Sequence, residues 1–439
     1  MKTLKPAYRL FMAATVAASM LTPVAAAEKL VIATVNNGDM VRMQGLTDDF
    51  LRANPDIELE WVTLEETILR QKVTQDIAAK GGQFDVLTIG TYEVPLWAKK
   101  DWLVPLDGMP ESWDAGDFLA PISNGLSHEG KLYAAPFYGE SSMMMYRRDL
   151  FQQNGLKMPD EPSWGQVYEF ARALHNPPNV YGICLRGKAS WGENIAFITT
   201  VANSFGARWF DENWRPQFDS AAWRHAVSFY VDLLQNYGPP GASTNGFNEN
   251  LALMNTGKCG MWIDATVAAG FVTGKDSQVA DKMDFAQAPH AVTRRGSNWL
   301  WAWSLAIPAG TQKADAAKKF IAWATSKEYS ELVASREGWR AAPPGTRKSL
   351  YENPEYTKAA FFADRVLRAI ESADPITGTL RPKPYVGVQF VAIDPFQGIG
   401  TAVGQELSAA LAGTKSVEEA LEAAQSLTER EMKKAGLLR

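Results

Sequence analysis

Between residues 29 and 89 the chain alternates three short apolar runs with two amphipathic stretches, and few folds accept that order. Residues 29–35 are apolar and β-branched and end in the polar turn Asn36-Asn37-Gly38-Asp39, the pattern of a buried strand followed by a turn. Met43, Leu46, Phe50 and Leu51 then recur at helical spacing until Asn54-Pro55 stops the pattern. A second strand is expected over 57–62, a second helix over 65–79, and a third strand over 84–89 that runs into Gly90-Thr91-Tyr92. Strand, helix, strand, helix, strand is the order of an α/β unit with a largely parallel sheet. Ligands of such sheets sit beyond the carboxyl ends of the strands, which marks 36–39 and 90–93 as site loops.

The chain has 439 residues, 46% hydrophobic and 21% charged, which excludes disorder and fibrous repeats and predicts two or three folding units. The first 27 residues stand apart. Lys2, Lys5 and Arg9 precede an uncharged apolar run over 10–21, and Ala25-Ala26-Ala27 follows Pro23, which is the tripartite pattern of a secretory signal cleaved after Ala27. That run is too short to span a bilayer, which takes about 20 residues, and no cysteine follows it to carry a lipid. Past it no apolar stretch of spanning length occurs, so a soluble, exported protein is expected.

Without Lys2, Lys5 and Arg9 the chain keeps 41 of its 44 basic residues against 49 acidic ones, a net charge of −8 that argues against nucleic acid as a partner. Cys184 and Cys259 are the only cysteines; an oxidising compartment would let them pair, and two buried thiols are an equal alternative. Four scattered His and no C-x-x-C or H-E-x-x-H give no metal site. Met143, Met144 and Met145 are thioethers of the kind copper takes, yet with no Cys or His nearby they are expected to fill core. No cofactor is expected.

Residues 131–149 read as extended, interrupted by Gly139-Glu140-Ser141-Ser142, as suits a chain leaving one lobe for another. The middle of the chain repeats the α/β pattern, with helices over 164–174, 194–205 and 221–237 and strands over 180–185 and 260–263. An alternating run over 299–308 reads as a strand, 314–325 as a helix, and 400–411 and 417–435 as two more.

These segments, in this order, resemble the extracellular solute-binding proteins of carbohydrate ABC importers, the maltose-binding-protein-like family. Carrying the resemblance are Gln83-Phe84-Asp85-Val86-Leu87, the run 131–149, Gly257-Lys258-Cys259-Gly260-Met261-Trp262, Leu305-Ala306-Ile307-Pro308 and Ser416-Val417-Glu418-Glu419-Ala420-Leu421. Val35-Asn36-Asn37-Gly38-Asp39-Met40, Arg186-Gly187-Lys188, Trp191-Gly192-Glu193-Asn194, Trp262-Ile263-Asp264-Ala265-Thr266 and Trp299-Leu300-Trp301-Ala302-Trp303 are similar to its polyol-binding subgroup. The resemblance implies the two-lobed type II periplasmic binding protein fold, each lobe a mostly parallel α/β sheet flanked by helices, with the ligand in the cleft between. It implies one lobe of residues 28–138 plus 304–340 and another of 142–300 plus 345–439, with crossovers near 139–142, 301–304 and 340–344. The function implied is that of a periplasmic, monomeric receptor that closes on sorbitol, mannitol or arabitol and delivers it to the membrane permease of an ABC importer.

A cleft for a neutral chain of hydroxyls needs fixed donors and acceptors and some flat apolar surface, because an unpaired buried hydroxyl costs about 1–3 kcal/mol. The candidate ligand-binding residues are Asn37, Asp39, Thr91, Tyr92, Glu140, Arg186, Trp191, Glu193, Trp262, Asp264, Trp299, Trp301 and Arg340. For several of them a second role stays open: Asp39 and Asp264 as helix caps, Arg186 and Glu193 as a salt bridge, Arg340 as a hinge strut, the Trp residues as core. Tyr138 is a weaker candidate. Two other functions compete, a mono- or oligosaccharide receptor of the same fold and a secreted glycoside hydrolase, whose clefts also use carboxylates and Trp. No hydrolase motif is present, so no enzyme is expected.

Overall fold

The computed structural model describes residues 27–438, so the expected secretory segment lies, but for Ala27, outside the described residues. The opening alternation folds as read. β1 (Glu28–Val35) pairs in parallel with β2 (Ile57–Leu64) over its whole length and with β3 (Val86–Ile89) on its other edge. Two short helices, α1 (Gly38–Gly45) and α2 (Thr47–Ala53), follow β1 where one is expected. Between β2 and β3 lies α3 (Glu66–Ala79), whose Leu69, Val73 and Ile77 recur at helical spacing and are buried.

After a small hairpin of β4 (Ser127–His128) and β5 (Lys131–Leu132), the long extended run becomes β6 (Ala134–Glu140) and β7 (Ser142–Arg147). Only Ser141 separates them, and they belong to different sheets. β6 joins the first sheet, whose order is β2-β1-β3-β10-β6 with β10 (Trp301–Ala306); β7 is the middle of a second, β8-β7-β9, with β8 (Met261–Ala265) and β9 (Met283–Gln287). The chain thus leaves the first sheet at Ser141 and returns ahead of Trp301.

Each sheet is mostly parallel, as expected, but for one strand that runs against the rest. β10 runs antiparallel to both β3 and β6, and β7 antiparallel to both β8 and β9. In each sheet the opposing strand is the one that has just arrived from the other. A strand entering from the cleft starts where its neighbours finish, so it has to run against them. Residues 180–185 form no continuous strand: they make two isolated parallel bridges, Tyr181 with Cys259 just before β8 and Cys184 with Trp262 in it. Gly182 in the middle of this run lies against the Ala171 backbone, where a side chain would not fit. The helix expected over 194–205 begins earlier, as a single π turn at Trp191–Ile195 that continues into Ala196–Ser204.

Met143, Met144 and Met145 are fully buried between β8 and β9. Gly139 and Gly345 lie backbone to backbone, with the Gly139 N–H donating to the Pro344 carbonyl at 2.9 Å. A Cβ on either would meet the other's carbonyl, and Gly345 also has φ of +72°. The first crossover and the segment around 344 are therefore one contact.

Cys184 and Cys259 form a disulfide with Cα atoms 5.9 Å apart, which resolves the alternative the sequence leaves open. It closes a loop of 75 residues and pins the 180–186 segment to the start of β8. Removing it by the Cys184→Ser, Cys259→Ser double substitution is expected to cost about 2–4 kcal/mol, because the unfolded chain regains the freedom of that loop. Urea denaturation would read the loss, and an unchanged midpoint would mean that the cross-link adds nothing to the pairing of these segments.

Candidate functional site

Between the two sheets lies a cavity of about 100 Å³, on a measure by which one water takes roughly 10–15 Å³. The first sheet's side supplies Asn37 from the cap of α1, Glu66 and Arg70 from α3, and Tyr138, Glu140, Trp301 and Trp303 from β6 and β10. The second side supplies Arg186, Lys188, Trp191, Glu193, Phe247, Trp299 and Gln389.

Arg186 organises the second side. It is 6% exposed, and its Nε and Nη2 donate to both oxygens of Asp264 at 2.6–3.0 Å. Its Nη1 donates to the Gly192 carbonyl at 2.9 Å and to Glu193 at 3.2 Å. A guanidinium has five N–H groups, so one of them is left for the cavity it lines. Burial works against its charge, but Asp264 and Glu193 together hold it above its ordinary pKa. Burial likewise raises the Glu193 carboxyl against the pull of Arg186. That carboxyl also accepts the Phe247 backbone N–H at 3.1 Å, at the start of a helix, where negative charge is favoured.

The first side turns on Arg70. It is bonded to Glu66 and Glu93 and lies 4.2 Å from the ring centre of Trp191 and 4.8 Å from those of Trp301 and Trp303. A cation among aromatic faces gains about 0.5–2 kcal/mol per contact, more when water is excluded. Since Trp191 belongs to the opposite side, this cage also spans the cleft. Beside it Thr67 donates to Ser190 at 3.2 Å and Lys188 to Glu65 at 2.9 Å. Gly192 is pressed against Glu66, where any side chain would collide with the carboxylate.

Three polar groups of the cavity stand out. The indole N–H groups of Trp191 and Trp299 are buried and have no acceptor among the described residues. Glu140, 6% exposed at the end of β6, likewise accepts no hydrogen bond from any described residue. Burial pushes its carboxyl up to about 8; Arg186 pulls it back, while Asp264, Glu66 and Asp39 add to the rise.

Of the residues singled out from the sequence, Asn37, Glu140, Arg186, Trp191, Glu193, Trp299 and Trp301 line this cavity together. Trp262 and Asp264 sit one layer behind, both fully buried, with the Trp262 indole donating to Asp264 at 3.0 Å. Tyr92 supports Trp191 from 5.0 Å, and its hydroxyl donates to the Ile393 carbonyl. The Thr91 hydroxyl faces the Leu300 carbonyl at 3.5 Å. Asp39 and Arg340 line a separate small hollow; Asp39 pairs with Arg42, and Arg340 donates to the Ala359 and Thr273 carbonyls. Asn37, not Asp39, caps α1, its side chain accepting the Met40 N–H.

Glu66, Arg70, Phe247 and Gln389 were not legible as site residues. An i, i+4 pair such as Glu66 and Arg70 reads the same on a solvated helix as on a cleft wall. Gln389 exchanges two hydrogen bonds with the Leu300 backbone from a stretch without regular structure, which carries no periodic signal.

The Arg186 network sets a clear expectation. Asp264→Ala would leave a buried guanidinium and the Trp262 indole short of an acceptor, at a cost of about 3–5 kcal/mol to the ligand-free protein. Chemical denaturation checks this, and a loss under about 1 kcal/mol would mean that Glu193 alone suffices for Arg186.

Comparison with known proteins agrees with this architecture. Residues 36–331 match the family described as bacterial extracellular solute-binding protein. A mannitol-binding protein of Pseudomonas aeruginosa is 57% identical over 412 residues, covering 93% of this chain and 94% of its own. The crystal structure of an ABC transporter solute-binding protein from Agrobacterium vitis S4, with bound D-mannitol, matches at a TM-score of 0.92 and 63% identity, covering 93% of this chain and 99% of that one. Maltose-bound T. maritima MalE3 shares the fold at a TM-score of 0.78 and 21% identity, over 92% of this chain and 99% of that one. The fold is the two-lobed type II periplasmic binding protein fold, and the chain belongs to the bacterial extracellular solute-binding proteins.

Proposed function

We propose that this protein is the periplasmic receptor of an ABC importer and takes a linear sugar alcohol, mannitol foremost, by closure of its two lobes. The observation that carries this reading is the small cavity between the sheets, walled by Trp191, Trp299 and Trp301 and holding polar groups that the protein itself does not satisfy. Indole faces suit the C–H edges of a hexitol while their N–H groups meet hydroxyls, and Arg186, Glu193 and Asn37 fix its orientation. The likeness to the mannitol-binding protein and the mannitol-bound structure supports the same ligand class.

The moving bodies in this proposal are residues 28–138 plus 304–340 and 142–300 plus 345–439. Tyr92 and Thr91 then serve closure more than ligand contact, and Asp39 and Arg340 the rear of the hinge. An oligosaccharide receptor fits less well, since about 100 Å³ holds a single small molecule. A glycosidase needs a working pair of carboxyl groups, and here Asp264, Glu193 and Glu66 are all tied to arginines. The protein would act as a monomer, reach the periplasm through cleavage after Ala27, and hand its cargo to the membrane permease. An oxidising compartment accords with the disulfide, and among the described residues no helix is long and apolar enough to cross a membrane.

Thermal melting in the presence of a panel of polyols and sugars tests the ligand class. D-mannitol at 100 times its dissociation constant is expected to add about 2.7 kcal/mol of stability, and maltose nothing. Small-angle scattering should show a smaller radius of gyration on binding, and an unchanged radius at saturation would refute closure. The seam gives a sharper check. Gly192→Val should obstruct the approach of Glu66 and weaken mannitol binding on the order of 10-fold or more, with the ligand-free melting temperature nearly unmoved.

A further inference from the structure

Carboxyl groups are prominent on the cleft wall, Glu66, Glu140 and Glu193 among them. A polyol hydroxyl brings one proton and two lone pairs, so a wall of ionised carboxylates satisfies its protons and leaves its oxygens wanting. Among the donors on the cavity side with protons that no protein acceptor takes are the indoles of Trp191 and Trp299, one N–H of Arg186, the Tyr138 hydroxyl, which only accepts from Asn37, and the remaining N–H groups of Asn37 and Lys188. The carboxyl groups differ in their situation. Asp264 and Glu193 accept from Arg186, and Glu66 accepts from Arg70. Glu140 has no such donor, although it lines the cavity with Glu193 and Glu66 and, at 6% exposed, is about as buried as Glu193 at 5%.

The groups that act on Glu140 come from every neighbouring element. Asp39 belongs to α1, Glu66 to α3, Asp264 to β8, and Tyr138 precedes it on its own strand; Arg186 is the cation that pulls on it most, while Arg70, Lys188 and Glu193 line the same cavity, already paired with Glu66 and Glu93, with Glu65 and with Arg186. Arg186 is already shared between Asp264 and Glu193. A negative charge on Glu140 would thus sit at low dielectric among three other acidic groups with no hydrogen bond of its own, which is costly.

We propose that Glu140 meets the ligand as a neutral carboxylic acid and donates its proton in a hydrogen bond to a ligand oxygen, so that this one residue sets the upper pH limit of binding. The proposal rests on the polyol reading of the cavity and adds the protonation state on which it depends. Nothing is transferred: the proton stays on Glu140, and the carbonyl oxygen of the same group accepts a second ligand hydroxyl. Burial and the neighbouring acids, which hold the group near 8, are the physical reason that the acid form persists at neutral pH.

The sign follows from which form binds. If only the protonated protein is competent, the apparent dissociation constant rises as pH passes through the free protein's pKa, by about 10-fold between pH 7 and pH 9. Calorimetric titration of D-mannitol into the full chain at those two values, for the wild type, Glu140→Gln and Glu140→Ala, reads it. The wild type should lose that factor. Glu140→Gln, whose amide still donates, should bind within a few-fold of the wild type at pH 7 and hold its affinity to pH 9. Glu140→Ala should bind weakly at both. Titrations at pH 8 in two buffers of different ionisation enthalpy should show about half a proton taken up per mannitol bound. A wild-type affinity that is flat across this range, the same decline in Glu140→Gln, or proton release on binding each overturns the proposal. Failure of mannitol to bind at any pH, while another solute does, would instead overturn the polyol reading and this one with it.

Discussion

A guanidinium removed from water keeps its charge only if acceptors surround it, and Arg186 has them on three sides: Asp264 from β8, Glu193 and the Gly192 carbonyl from the π turn. This ion network locates the second half of the cleft. It fixes where the π turn begins, and with it Trp191, and through Glu193 it fixes the start of the helix at Phe247. The disulfide two residues before Arg186 holds the same segments together covalently. Breaking such a buried network is far more costly than its net contribution to stability. That asymmetry is what makes it a reliable scaffold for one wall of the cleft.

The two sides of the cleft are built on a shared plan. Each has a sheet, each sheet takes in one antiparallel strand from the other side, and each puts an arginine against aromatic rings. Arg186 lies 5.3 Å from Phe247 and 5.5 Å from Trp299, as Arg70 lies over its three indoles. Yet the two differ in purpose. Arg186 finds its protein partners within its own side, whereas Arg70 completes its cage only with Trp191 from across the seam. The closed arrangement therefore has attractive contacts that touch no ligand, and ligand contacts add to a bias already present.

Much of this was legible in the residues. The alternation over 29–89 follows from periodicity, and Trp299, Trp301 and Trp303 fall on one side of a run because strand side chains alternate. All three line the cavity. Strand direction was not legible, because whether β7 and β10 run with or against their neighbours depends on where the chain enters a sheet, which no local pattern encodes. The division between Asn37 and Asp39 was also hidden: both suit a helix start, and only the backbone decides which one caps it. Gln389 belongs to the same class, a polar residue in an irregular stretch placed by tertiary contacts alone.

At the back of the cleft, Gly139 and Gly345 touch without side chains between them. If the lobes close as proposed, this contact would serve as the pivot, and a pivot made of two bare backbones has no part that substitution can resize, since any added carbon would meet the opposite backbone. Evolution and engineering alike are left to tune the swing of the lobes elsewhere, along the seam of α3 and the π turn. Relatives of this protein could then diverge in how readily they close while turning about the same axis, as doors of different weight hang on one pattern of hinge.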